Sequence, residues 1–65
     1  MYDFDPLWET MKKKQISTYK LINTHQISKG TLDRLKNNKN VTIETLARLC
    51  IILDCHLEDI VNIHM

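Results

Sequence analysis

Apolar residues along this chain fall in short clusters separated by polar runs, and their spacing is helical. Leu7, Trp8 and Met11 stand at i, i+1 and i+4 after Asp5-Pro6. Asp is a good N-cap, and a proline at the first helical position gives up no hydrogen bond it could have made. Lys12, Lys13 and Lys14 close this first helix, where cations suit the negative end of the helix dipole. A second helix is expected from Ser17, whose side-chain oxygen can cap it, with Leu21 and Ile22 facing inward and Ile16 as a staple before the cap. The polar run Asn23-Thr24-His25-Gln26 breaks the pattern. Ser28 then offers another cap, and a third helix follows from Lys29 to Asn37 with Leu32 and Leu35 at i and i+3. Asn37-Asn38-Lys39-Asn40 predicts a turn, because Asn tolerates the left-handed conformation that ends helices.

Thr42 caps a fourth helix in which Ile43, Leu46, Ala47, Cys50 and Leu53 fall at i, i+3, i+4, i+7 and i+10. These five are the expected inward face. A short fifth helix is expected over Leu57 to Val61, with Ile60 and Val61 apolar, and Asn62-Ile63-His64-Met65 carries no readable pattern. One Gly and one Pro in 65 residues argue against a β-sandwich or barrel, whose frequent turns consume both. The expectation is an all-α, compact five-helix domain spanning 1–65.

With 65 residues, nearly every apolar side chain must serve one core, leaving no room for a separate substrate or cofactor domain. The 43% hydrophobic and 26% charged content is ordinary for a globular chain and too apolar for disorder. The apolar run Leu49 to Leu53 is far short of a membrane span, and the acidic start Met-Tyr-Asp-Phe-Asp-Pro does not read as a secretory signal. A cytoplasmic location is the expectation.

The net charge of +1 conceals a strong asymmetry. Between Thr10 and Asn40 lie eight Lys or Arg against Asp33 alone, a net of +7; the flanks hold Arg48 against seven acids, a net of −6. Such a segregated field draws a polyanion to one face and orients it. The same segment holds two short helices joined by a few residues, a helix-turn-helix pattern over about 17–37. In that arrangement the second of the two helices can enter the major groove of DNA, which is wide enough for it, while both helix starts offer donors to phosphates.

The segments Ile16-Ser17-Thr18-Tyr19-Lys20-Leu21 and Ile27-Ser28-Lys29-Gly30-Thr31-Leu32-Asp33-Arg34-Leu35 resemble the core of the phage-repressor helix-turn-helix family, the Cro and lambda-repressor-like or XRE-like proteins. Val41-Thr42-Ile43-Glu44-Thr45-Leu46, Leu53-Asp54-Cys55 and Leu57-Glu58-Asp59-Ile60-Val61 are similar to small bacterial members, so the resemblance covers roughly Leu7 to Val61. It implies a five-helix domain that binds operator DNA, commonly as a dimer. It places Lys29, Gly30 and Arg34 where relatives read base edges. Ser17, Thr18, Ser28, Thr31 and Asn37 fall where relatives hold phosphates, with Lys39 and Asn40 in the loop that approaches the backbone. Arg34 and Lys29 are chemically suited to guanine O6 and N7.

Three positions depart from the family pattern. Ile22 replaces a small Ala between the two helices, and Gln26 replaces the turn Gly, at a steric cost if φ there is positive. Gly30 removes one base-reading side chain and lowers helix propensity by about 1 kcal/mol relative to Ala, which implies looser specificity.

The remaining chemistry is sparse. Cys50 and Cys55 lack the spacing of a zinc site, and Cys50 belongs on a core stripe, so no metal, cofactor or disulfide is expected. His25 reads as an exposed turn residue, Trp8 as core, Tyr19 as structural rather than base-stacking, and Lys12 to Lys14 as a solvated helix end. Ile51 and Ile52 make the end of the fourth helix apolar nearly all round. With Ile60 and Ile63 they form an expected homodimer surface through the fourth and fifth helices; packing by Tyr2 and Phe4 is the alternative. No nucleophile–base pair, paired-carboxylate site or glycine-rich phosphate loop marks an enzyme, and no small-molecule ligand is expected. The leading expectation is a sequence-preferring transcriptional regulator bound to double-stranded DNA. The alternative is a protein-interaction module on the same fold, antitoxin-like or an anti-repressor partner, with weak DNA binding.

Overall fold

Three hydroxyl side chains start three of the four α-helices in the computed structural model, which describes residues 1–65. The helices are α1 (Asp5–Lys14), α2 (Thr18–Asn23), α3 (Lys29–Lys36) and α4 (Ile43–Leu53), and Ser17 Oγ accepts the Lys20 N–H at 3.2 Å at the start of α2. Ser28 Oγ accepts the Thr31 N–H at 3.1 Å at the start of α3, and Thr42 Oγ1 accepts the Thr45 N–H at 3.1 Å at the start of α4. All three caps lie where the sequence places them. In α1 the cap is shifted: Asp5 is itself helical, Phe4 is the N-cap residue, and the Asp3 carboxylate accepts the Asp5 N–H at 3.0 Å.

Three helices end in the same way, with a left-handed residue just beyond the last turn. Gln15 (φ 57°), Asn38 (φ 55°) and Asp54 (φ 50°) fill that position after α1, α3 and α4. Each is followed by a residue whose N–H reaches back five positions: Ile16 to Met11 O at 3.0 Å, Lys39 to Arg34 O at 2.8 Å, Cys55 to Cys50 O at 3.0 Å. This is the Schellman closure, which satisfies otherwise unpaired carbonyls and brings the side chains at its two ends together. The expected Asn37–Asn40 turn thus forms with Asn38 in the left-handed conformation.

Gln26 is the fourth positive-φ residue, at 59°, in the turn between α2 and α3. A Cβ in this conformation is crowded by the neighbouring carbonyl. The Gln26 side chain is exposed, so removing it sacrifices no packing. Gln26→Gly is expected to stabilise the fold by about 0.5–1 kcal/mol, read as a rise of several degrees in melting temperature by circular dichroism.

The core is ten buried residues, all apolar: Phe4, Leu7, Met11, Leu21, Ile27, Leu32, Leu35, Leu49, Leu53 and Ile60. Two expectations are corrected here. The fifth helix does not form: Leu57–Asp59 is a single 3-10 turn, closed by the Asp59 carboxylate accepting the His56 N–H at 3.0 Å. The turn leads directly into Asn62–Ile63 (β2), which pairs antiparallel with Tyr2–Asp3 (β1), Tyr2 opposite Ile63 and Asp3 opposite Asn62. The segment without a readable pattern is therefore a strand, fixed by its partner at the other end of the chain. His64 bonds the Asp3 carboxylate across this pairing. That bond, with the Asp5 N–H, holds the Asp3 carboxyl below its ordinary value of 3.8.

The second correction concerns α4. Leu49 and Leu53 are buried and Leu46, Cys50 and Ile52 half-buried, but Ile43 and Ala47, assigned inward from the sequence, are exposed, Ile43 at 76%. With eight apolar residues in eleven, α4 has more than one apolar stripe, and its neighbours select the stripe containing Leu49. Leu46 and Ile43 instead wall an open apolar groove with Tyr2, Val41, Leu57 and Ile63. Trp8 is half-buried against the core rather than within it. No helix is long and apolar enough to cross a membrane.

Candidate nucleic-acid interface

The outward face of α3 follows from its inward one. At about 100° per residue, burial of Leu32 and Leu35 turns Gly30 and Asn37 directly away from the core, flanked by Asp33 and Arg34. Lys29 and Lys36 lie toward one edge of this face and Thr31 toward the other, and all but the half-buried Thr31 are exposed. Gly30 and Arg34, one turn apart, therefore share a ridge, with Lys29 beside it. Asp33, counted in the sequence only as an opposing charge, stands on the same outward face. The helical phase set by Leu32 and Leu35 would have located it.

The hydroxyls named for phosphate contact differ in what their caps leave free. Ser28 donates to Thr31 Oγ1 at 2.9 Å while accepting the Thr31 N–H, so its hydrogen is used. The Thr31 hydroxyl hydrogen remains available to an outside acceptor. Ser17 accepts from Lys20, which leaves its own hydrogen to donate, and the neighbouring Thr18 is half-buried. Asn37 turns its amide nitrogen back onto Asp33, bonding the carbonyl oxygen at 2.8 Å, so it is the least available of the set.

The loop after α3 is tied down on both sides. The Lys39 N–H bonds Arg34 O, which fixes the backbone that carries both cations. Asn38 Oδ1 accepts the Phe4 N–H at 2.9 Å, and Asn40 Oδ1 accepts the Tyr2 hydroxyl. Asn40 is thereby oriented with its amide N–H groups free to donate. Lys39 and Asn40 are exposed.

Arg48 is the residue that the sequence left without a role. From α4 its guanidinium donates to His25 O at 2.8 Å, bracing the turn that sets α2 against α3. That turn contains the left-handed Gln26. His25 itself is half-buried. Ile22, the bulky departure from the family pattern, is half-buried and lines a cleft with Thr18, Lys29, Leu32, Asp33 and Lys36, so the wider side chain sits between the two helices.

Other expected residues fall outside this face. Tyr19 is 72% exposed on α2, so it is not structural as expected; the helix needs only its backbone there. Lys14 reaches Asp54 O at 3.4 Å at the end of α4. The four residues named for self-association do not form one surface: Ile60 is in the core and Ile52 half-buried, while Ile51 and Ile63 are exposed on α4 and β2. The Leu57–Asp59 turn packs against α1 and α4 and Ile60, just after it, completes the core, while Ile51 and Ile63 stand on different elements. Cys50 and Cys55 are free thiols at the two ends of the α4 Schellman closure. Burial, with Cys50 and Asp59 nearby, pushes the Cys55 thiol above its ordinary 9.0, so it stays protonated at neutral pH.

Comparison with known proteins bears on the same geometry. Residues 6–64 match the Cro/C1-type HTH DNA-binding domain. The chain is similar to the crystal structure of the transcriptional regulator VanUg, at a TM-score of 0.85 and 26% sequence identity, over 94% of this chain and 81% of that one. No curated protein matches it.

Proposed function

Because this chain belongs to the Cro/C1-type helix-turn-helix DNA-binding family, we propose that it is a sequence-preferring, non-enzymatic transcriptional regulator that seats α3 in the major groove of duplex DNA. The observation that carries this reading is the exposed ridge of α3, with Arg34 on it and Lys29 beside it, inside a segment of net charge +7. In the groove Arg34 and Lys29 donate to guanine O6 and N7, and Asp33 can accept from a cytosine amino group. Ser17, Thr18 and Thr31 hold phosphates on either side, and Lys39 and Asn40 grip the backbone beyond the end of α3. The similarity to a solved transcriptional regulator supports the same reading.

The test is fluorescence anisotropy of a labelled mixed-sequence duplex titrated with the protein at 50 and 200 mM salt. Each phosphate neutralised by a cation releases counterions, so binding should fall steeply between the two conditions. Lys39→Ala is expected to weaken all duplexes similarly and to reduce the slope of log affinity against log salt by about one. Absence of binding at 50 mM salt would overturn this reading in favour of a protein-interaction module.

A further inference from the structure

The outermost point of α3 is occupied by the only glycine in the chain, and nothing in the fold asks for one there. The backbone at Gly30 is not left-handed. A Cβ added to it would meet only Ser28 Oγ, at 3.9 Å, an ordinary contact. Meanwhile the four positions that are left-handed carry Gln, Asn or Asp. Glycine is thus absent where the backbone would favour it and present in the first turn of α3, where the backbone does not call for it. A missing side chain that the protein does not need leaves room for something outside the protein.

Resting on the DNA-binding reading above, we propose that Gly30 is a thymine-specifying position: the α3 backbone lies directly against a thymine 5-methyl group in the major groove. Gly30 offers no side-chain donor or acceptor to a polar base edge. The thymine methyl is the one apolar group that the major-groove edges of the bases project, and it needs space and an apolar neighbour. The Gly30 methylene supplies both, while Asp33 and Arg34 on either side of it serve adjacent polar edges. Gly30 then adds to sequence preference through closeness rather than through a side chain.

The experiment begins by selecting a preferred duplex from a randomised library with the wild-type protein. Wild type and Gly30→Ala are then titrated against that duplex and against copies with deoxyuridine in place of each thymine in turn. Gly30→Ala should melt no lower than wild type, since the added Cβ fits without a clash. It should nevertheless bind the thymine duplex roughly tenfold more weakly, and removing the methyl at one position should close most of that gap. Equal affinity of the two proteins for the thymine duplex, or the same loss on every deoxyuridine copy, overturns the proposal while leaving DNA binding intact. A wild-type protein that enriches no duplex overturns the DNA-binding reading and this proposal together.

Discussion

Arg34→Ala is expected to weaken binding to the selected duplex by about 1–3 kcal/mol while barely affecting unrelated duplexes, so that discrimination among sequences collapses. The side chain is exposed on the outward ridge of α3 and makes no hydrogen bond within the protein, so truncation removes little stability. Its backbone carbonyl, which accepts the Lys39 N–H at 2.8 Å, is retained by Ala and keeps the following loop in place. The measurement is the ratio of affinities for the selected and an unrelated duplex, at one fixed salt concentration. An unchanged ratio would mean that another face of α3 reads the bases. The contrast with Lys39→Ala separates base reading from phosphate contact, because the latter change should weaken all sequences alike.

Leu35→Ala acts on the opposite side of the same helix. Leu35 is fully buried, and with Leu32 it holds α3 against the core. Removing a buried leucine side chain costs about 2–5 kcal/mol, through lost transfer energy and the cavity left behind. A chain of this length has total stability of only about 3–10 kcal/mol. The variant should therefore melt roughly ten degrees or more below wild type, or fail to fold cooperatively, in a thermal melt followed by circular dichroism. Ile51→Ala is the matched control: Ile51 is 80% exposed, and its truncation should alter stability by no more than about 0.5 kcal/mol. A comparable loss in both variants would mean that Ile51 is covered in solution.

The buried face of α3 determines its exposed one. Leu32 and Leu35 fix its rotation about its own axis, and that rotation alone decides which residues turn outward. The caps fix where the helix starts, and the Asn38 closure fixes where it ends and where Lys39 leaves it. Arg48 acts from α4 on the other side, holding the α2–α3 turn through the His25 carbonyl. The outward face of α3 is consequently set by core packing rather than by its exposed side chains.

Local chemistry made much of this legible in advance. A hydroxyl before a helical stripe needs only the neighbouring N–H groups to act as a cap, so Ser17, Ser28 and Thr42 could be identified without knowing what the helices pack against. The turn over Asn37–Asn40 and the basic middle segment are similarly local properties, whereas the positive φ at Gln26 was raised only by comparison with the family's turn glycine. The helix-turn-helix unit, and with it the family, rests on residues close together in the chain.

What depended on distant partners was not legible. The stripe that α4 buries was decided by its neighbours, because a helix apolar on most sides has no unique inward face of its own. The Leu57–Asp59 turn and the β1–β2 pairing join the two ends of the chain, and no local preference in Asn62–Ile63 announces a strand. Arg48 gained its role because a carbonyl from another helix pair came within reach. Sequence alone determined the capped helices, their order and the charged segment, since those follow from interactions a few residues apart. The tertiary structure decided which faces are buried, how the ends close and which side of α3 looks outward, since burial is a property of neighbours that only folding brings together.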